Sequence, residues 1–217
     1  MKIGIPVFIN KTFDRLIFSR SKCIKLGRLN PYYIYPASLK ENPMVYSGGV
    51  GGDISFEIEL YNRFNAQISI FDPSPVGKET ISRVNNIPIK FYPLGLSEKT
   101  QFVYFQRPKQ GSYGSYPKKK GLKENKFKCV AISNLIREKE IIDLLKLDIE
   151  GSEYGVINDI LENKIKVNQI VLEFHHFLKE VPYFYTINAI KKLKKAGYKL
   201  IHKDIDNYTF IKKDLLK

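Results

Sequence analysis

Three groups of residues in this chain have the types and spacing to do chemistry. The first is the glycine cluster Ser47-Gly48-Gly49-Val50-Gly51-Gly52-Asp53, which follows a short apolar run at 44–47. Glycines there let a backbone come close to a ligand, and Asp53 adds a negative charge. The second is Asp72, 19 positions after Asp53, in Phe71-Asp72-Pro73-Ser74-Pro75. A carboxylate about 20 positions past a glycine loop catches ribose hydroxyls, because its oxygens can accept from both. The third is acidic and histidine-rich: Lys146-Leu147-Asp148-Ile149-Glu150-Gly151-Ser152-Glu153, then Leu172-Glu173-Phe174-His175-His176. Purely structural roles compete with the first two: a tight turn with Asp53 capping a helix, and Asp72 capping the helix before Pro75.

The loop discriminates between two kinds of cofactor. A dinucleotide brings a pyrophosphate, which wants a helix N-terminus and the spacing G-x-G-x-x-G. Here Gly49-x-Gly51-x-x ends in Ile54, so the third glycine is missing, and Asp53 would face the phosphate. S-adenosylmethionine carries a sulfonium and an ammonium group instead, and an acidic neighbour suits it. The pattern Gly49-x-Gly51-x-Asp53 therefore favours S-adenosylmethionine. Gly95, in Leu94-Gly95-Leu96-Ser97, stands where adenine would pack.

Alternation along a strand at 143–149 puts Lys146, Asp148 and Glu150 on one side, with the two acids at the carboxyl end. Lys146 falls inside that strand and needs a carboxylate partner if buried. Glu173 and His175 share a face at the end of a strand at 169–175. Asp148, Glu173 and His175 can then do one of two things. They can take a proton from a substrate hydroxyl, worth roughly 100-fold to 10,000-fold, with His175 the preferred base. They can also hold a divalent metal that polarises the hydroxyl.

Positioning these residues requires alternating strands and helices. Strands are expected at 44–47, 67–71, 87–92, 143–149, 169–175, 198–202 and 208–212. Helices are expected at 54–64, at 76–84, at 152–161 capped by Ser152, and at 183–196 closed by Gly197. Such alternation implies an α/β fold with a parallel sheet covered on both faces, and the last two strands form an antiparallel pair. Ligands in such sheets bind beyond the carboxyl ends of the strands. Residues 1–42 precede the first core strand as a cap, 43–217 form the main domain, and aromatic alternation around Pro and Gly marks a hairpin insertion at about 101–128.

The 217 residues include 36 Lys and Arg against 22 Asp and Glu, a net charge of +14. That excess attracts anionic partners, but the basic residues form no single stripe, which disfavours a dedicated nucleic-acid surface. Cys23 and Cys129 have no metal spacing. The N-terminal apolar run is broken by Pro6, Asn10 and Lys11, and no uncharged stretch approaches the ~18 residues of a membrane helix. A soluble, cytoplasmic protein is expected.

These stretches, with Val45 to Phe56 at their head and Val171 to His175 at their end, resemble the FkbM-type methyltransferase family, in family order from about residue 44 to residue 213. The Asp148-Ile149-Glu150-Gly151-Ser152-Glu153 segment is the most specific part. The resemblance implies a Rossmann-like class I methyltransferase fold, with a seven-stranded, mostly parallel sheet and one antiparallel strand near the C-terminus. It also implies O-methylation of a sugar, glycan or related small molecule. Gly49, Gly51 and Asp53 would line the methionine end of the cofactor and Asp72 the ribose, with Asp148, Glu150 and Glu173 at the reaction centre. Gly48 departs from the family, where a larger residue is usual. Two alternatives stay open: an RNA methyltransferase, and a non-catalytic module on the same fold. A nicotinamide oxidoreductase is disfavoured by the absent third glycine.

Overall fold

The computed structural model describes residues 22–105, 126–137, 140–178 and 181–216. Strands β1 (Ile24–Leu26) and β2 (Tyr32–Ile34) form an antiparallel ribbon. Then follow β3 (Met44–Gly48), α1 (Ser55–Phe64), β4 (Gln67–Phe71), α2 (Pro75–Ser82), β5 (Ile89–Tyr92), β6 (Gly95–Leu96), β7 (Gln101–Tyr104) and β8 (Lys126–Val130). The rest of the chain supplies β9 (Ile141–Leu147), α3 (Glu153–Glu162), β10 (Lys166–Glu173), α4 (Tyr183–Lys195), β11 (Tyr198–Asp204) and β12 (Asn207–Lys212).

Seven strands make the main sheet in the order β11-β12-β10-β9-β3-β4-β5. Strands β3, β4, β5, β9 and β10 run parallel, and β12 is antiparallel to both β10 and β11. Central strand β9 is apolar almost throughout, with Ile142, Leu144, Leu145 and Leu147 buried, as expected where helices cover both faces. From β3 the chain moves outward through β4 to β5 and later returns to β9 on the other side of β3. The strand order reverses there, so a crevice opens beyond the ends of β3 and β9.

Several boundaries differ from the sequence reading. Strand β5 starts at Ile89, after Pro88, which has no N–H for the ladder. Strand β9 ends at Leu147 and β10 at Glu173, so Asp148, Glu150 and His175 lie on the following loops, where strand alternation no longer applies. Glu150 and Gly151 adopt left-handed backbone, with φ of 57° and 95°. Ser152 makes no capping hydrogen bond. Glu153 instead fixes the loop before the helix: its Oε1 accepts from the Ile149 N–H at 2.9 Å and the Gly151 N–H at 3.1 Å.

The described part of the N-terminal segment packs onto the sheet. Leu26, Tyr32 and Ile34 are buried with Phe56 and Leu60 of α1. Tyr35 N–H donates to Gln169 Oε1 at 2.6 Å, and Thr209 Oγ1 donates to the Tyr33 carbonyl at 2.5 Å. Strands β7 and β8 pair antiparallel, with Tyr104 opposite Lys126. The remainder of the expected insertion, 106–125, lies outside the described residues.

Candidate active site

A cleft of about 680 Å³ opens at the strand reversal. Gly49, Gly51, Asp53, Asp72, Gly95, Asp148, Glu173 and His175 all line it, together with Glu150 and Asn30. Residues as far apart in the chain as Asn30 and His175 thus line the same cleft.

The glycine loop owes its shape to its neighbours. Gly49 has φ of 76° and Gly51 has φ of 48°, a region that side chains disfavour. Around Gly51 there is open space, whereas a Cβ on Gly49 would stand 1.9 Å from the Asp148 carbonyl oxygen. Lys146 fastens the loop from below. Its buried ammonium donates to the Gly49 carbonyl, lies 3.6 Å from Glu57 Oε1, and sits 5.3 Å over the Tyr32 ring. Glu57 is the carboxylate partner that a buried Lys146 requires, and it also accepts from Ser47 Oγ at 2.5 Å.

Asp72 fastens the loop from the side. Its Oδ2 accepts from the Val50 and Gly51 N–H groups, each at 3.0 Å, and its Oδ1 accepts from the Ser74 N–H at 2.8 Å. Capping of α2 falls to Ser74, whose hydroxyl accepts from the Gly77 N–H at 2.9 Å. Asp53 accepts from the Ser55 N–H and hydroxyl, both at 2.9 Å, and from the Leu29 N–H at 3.1 Å. Burial works to raise the Asp53 pKa, but these hydrogen bonds outweigh it and hold the carboxyl below its ordinary value. Gly95 has no room for a side chain: a Cβ would meet Cys129 Sγ at 2.6 Å.

At the other end of the cleft, acids gather around one imidazole. His175 is 3% exposed. Its Nδ1 pairs with Glu153 Oε1 at 2.9 Å, and its Nε2 lies 3.4 Å from Glu150 Oε2 and 3.7 Å from Asp148 Oδ1. Burial alone would lower its pKa. The charge and hydrogen bond of Glu153, then Glu150 and Asp148, overcome that and push it up to about 10. The imidazole therefore favours its charged form beside these carboxylates. Glu150 is pushed up to about 7 by burial and by the neighbouring acids, with His175 opposing. Glu173 is also raised, by burial and Asp148, against His175 and Asn30. His176 points elsewhere: its Nε2 is 3.2 Å from Asp206 Oδ1, and burial lowers its pKa.

Asn30 and Tyr32 were not anticipated. Asn30 Nδ2 donates to Asp148 Oδ2 at 2.9 Å and Glu173 Oε2 at 3.0 Å, and the Tyr32 hydroxyl donates to Asp148 Oδ2 at 2.9 Å. Burial, followed by Asp148, holds the Tyr32 hydroxyl well above its ordinary pKa, so it remains a donor. Asp148, Glu173 and His175 each offer a ligand atom within 4.8 Å of one another.

The model of the methyltransferase FkbM domain matches residues 12–200. No curated protein matches. Among solved structures, a methyltransferase from Pyrococcus furiosus is 14% identical, with 95% of each chain covered and a TM-score of 0.41. The fibrillarin pre-rRNA processing protein of Methanococcus jannaschii is 11% identical, covering 90% of this chain and 84% of its own, at a TM-score of 0.44. M. jannaschii TYW2 in complex with AdoMet is also 11% identical, covering 86% and 83%, at 0.36. With the family model spanning most of its length, the chain belongs to the FkbM methyltransferase domain family.

Proposed function

We propose that this protein transfers a methyl group from S-adenosylmethionine to a hydroxyl of a sugar, glycan or related small molecule. The observation that carries this reading is the meeting of the glycine loop, Asp72 and the acid–histidine group in one cleft. The donor's ribose and adenine would lie along Asp72 and Gly95. Its methionine end would lie over Gly49 and Gly51, with Asp53 at the mouth of the loop. The open space at Gly51 leaves room for that approach. An acidic cleft complements a sulfonium and an ammonium group in a chain whose net charge is +14.

The acceptor hydroxyl would stand against Asp148 and Glu173. Methyl transfer from a sulfonium needs in-line alignment above all, and holding the two reactants together supplies much of the acceleration. The carboxylates take the hydroxyl proton as the O–C bond forms, because an alcohol is a poor nucleophile while protonated. His175 faces Glu150 and Asp148 across 3.4 and 3.7 Å and offsets part of their charge. Phe177, 56% exposed and lining the cleft, offers an apolar face to an acceptor ring.

The test is transfer of labelled methyl from S-adenosylmethionine to a panel of monosaccharides, nucleotide-sugars and glycans. Label in an acceptor hydroxyl is the expected result. Donor binding with label only on nitrogen acceptors or RNA would overturn the hydroxyl assignment.

A further inference from the structure

The three side chains at the reaction centre share a construction. Each has a polar atom held by a neighbouring side chain. Asp148 Oδ2 is held by Asn30 and Tyr32, Glu173 Oε2 by Asn30, and His175 Nδ1 by Glu153. Partners of this kind orient the ligands of a metal, the carboxylate behind a histidine above all. Each of the three offers one ligand atom, and these lie within 4.8 Å of one another. Adjacent ligands about 2.1 Å from a small octahedral ion stand about 3 Å apart, so the three side chains would draw together on binding one ion.

A second observation comes from His175 itself. The residue is 3% exposed and its Nε2 is aimed into the group, yet the nearest carboxylate oxygens are 3.4 and 3.7 Å away. A charge-assisted hydrogen bond would be about 2.7–2.9 Å. Three carboxylates, of Asp148, Glu150 and Glu153, lie within 4.0 Å of this one imidazole, and a Glu173 oxygen lies within 4.8 Å of it; like charges so gathered and partly buried are costly without compensation.

We propose that Asp148, Glu173 and His175 bind a divalent cation of the Mg²⁺ or Mn²⁺ type, with Glu150 beside it. Two carboxylates and an imidazole suit such an ion better than a thiophilic one. The ion takes the place of the Nε2 proton, which leaves to solvent. Facing the cleft, it also coordinates the acceptor oxygen and weakens the O–H bond. That chemical role rests on the methyl-transfer reading; the binding of the ion does not.

The experiment uses the full chain dialysed against chelator and titrated with Mn²⁺, free ion being followed by electron paramagnetic resonance. One ion per chain is expected, without any methyl donor present. Asp148→Asn and His175→Gln should lose it, and Glu162→Gln, at the exposed end of α3, should bind as the wild type does. Asn30→Ala, which removes only the support behind the ligands, should weaken binding about 10-fold, and it decides the matter if a ligand variant fails to fold. Absence of stoichiometric uptake by the wild type overturns the site, as does uptake unchanged in Asp148→Asn, or unchanged in Asn30→Ala. Calorimetry with S-adenosylmethionine on the same samples separates the two readings. Donor binding without Mn²⁺ uptake removes the ion alone, and Mn²⁺ uptake without donor binding removes the methyl-transfer reading alone.

Discussion

Gly49 passes so close to Asp148 that a single methyl group in place of its hydrogen would stand 1.9 Å from the Asp148 carbonyl oxygen. The loop of β3 and the loop of β9 thus rest on each other backbone to backbone. Gly49→Ala should separate them, at a cost of at least ~2 kcal/mol from the clash and the left-handed backbone together. Gly51→Ala has the same backbone handedness but open space around it, and should cost only about 1 kcal/mol. Thermal unfolding of the two variants measures the difference, and equal melting temperatures would contradict the contact.

Lys146 and Glu57 form a buried pair under that loop. Lys146→Met leaves Glu57 without its counter-charge and should destabilise the protein by about 3–5 kcal/mol. Adding Glu57→Gln should restore most of the loss. Denaturant unfolding of the single and double variants checks this. No recovery in the double variant would mean that Lys146 acts through the Gly49 carbonyl alone.

Much of the fold was legible because its signals are local. Apolar runs and the glycine cluster mark the strands of the first half, whereas the cap before Pro75 falls to Ser74 and not to Asp72. The strand ends were less so. Asp148 and His175 sit just past the last ladder bonds, and an alternating pattern runs on through them without showing where pairing stops. Residue type marks Ser152 as a cap, yet it makes no capping hydrogen bond, and the neighbouring Glu153 instead binds two N–H groups of the preceding loop and holds His175. Asn30 and Tyr32 meet Asp148 across 118 and 116 positions. No periodicity or motif links residues so far apart, so a ribbon ahead of the core strands could not be tied to the acid–histidine group.

Asp72 is set to do two things at once. Its Oδ2 already accepts from Val50 and Gly51, so Asp72→Ala leaves buried N–H groups unpaired, at about 1–3 kcal/mol for each group left unsatisfied. The variant should lose both stability and donor affinity. Asp72→Asn, which keeps one acceptor oxygen, should be the milder change. Calorimetry beside thermal unfolding checks both. Donor affinity unchanged in Asp72→Ala would remove Asp72 from the cofactor site.

Cys129 lies beneath Gly95, and burial pushes its thiol up from 9.0 to about 11. Below about pH 9 the thiol is protonated in folded and unfolded chains alike, and its contribution to stability is intact. Between pH 9 and 11 the unfolded chain releases the proton while the folded one retains it. Stability is therefore lost as pH rises, by at most ~3 kcal/mol from this group. Comparing the alkaline slope of unfolding free energy with that of Cys129→Ala isolates the effect, since other alkaline groups titrate in both proteins. Equal slopes would contradict the burial of this thiol.

The measurement closest to the central claim is equilibrium binding of S-adenosylmethionine to the wild-type chain and to Gly49→Ala. Saturable binding of one donor per chain, lost in the variant, is the predicted result. No binding by a folded wild-type protein, or binding that Gly49→Ala leaves untouched, would contradict the placement of the methyl donor in this cleft.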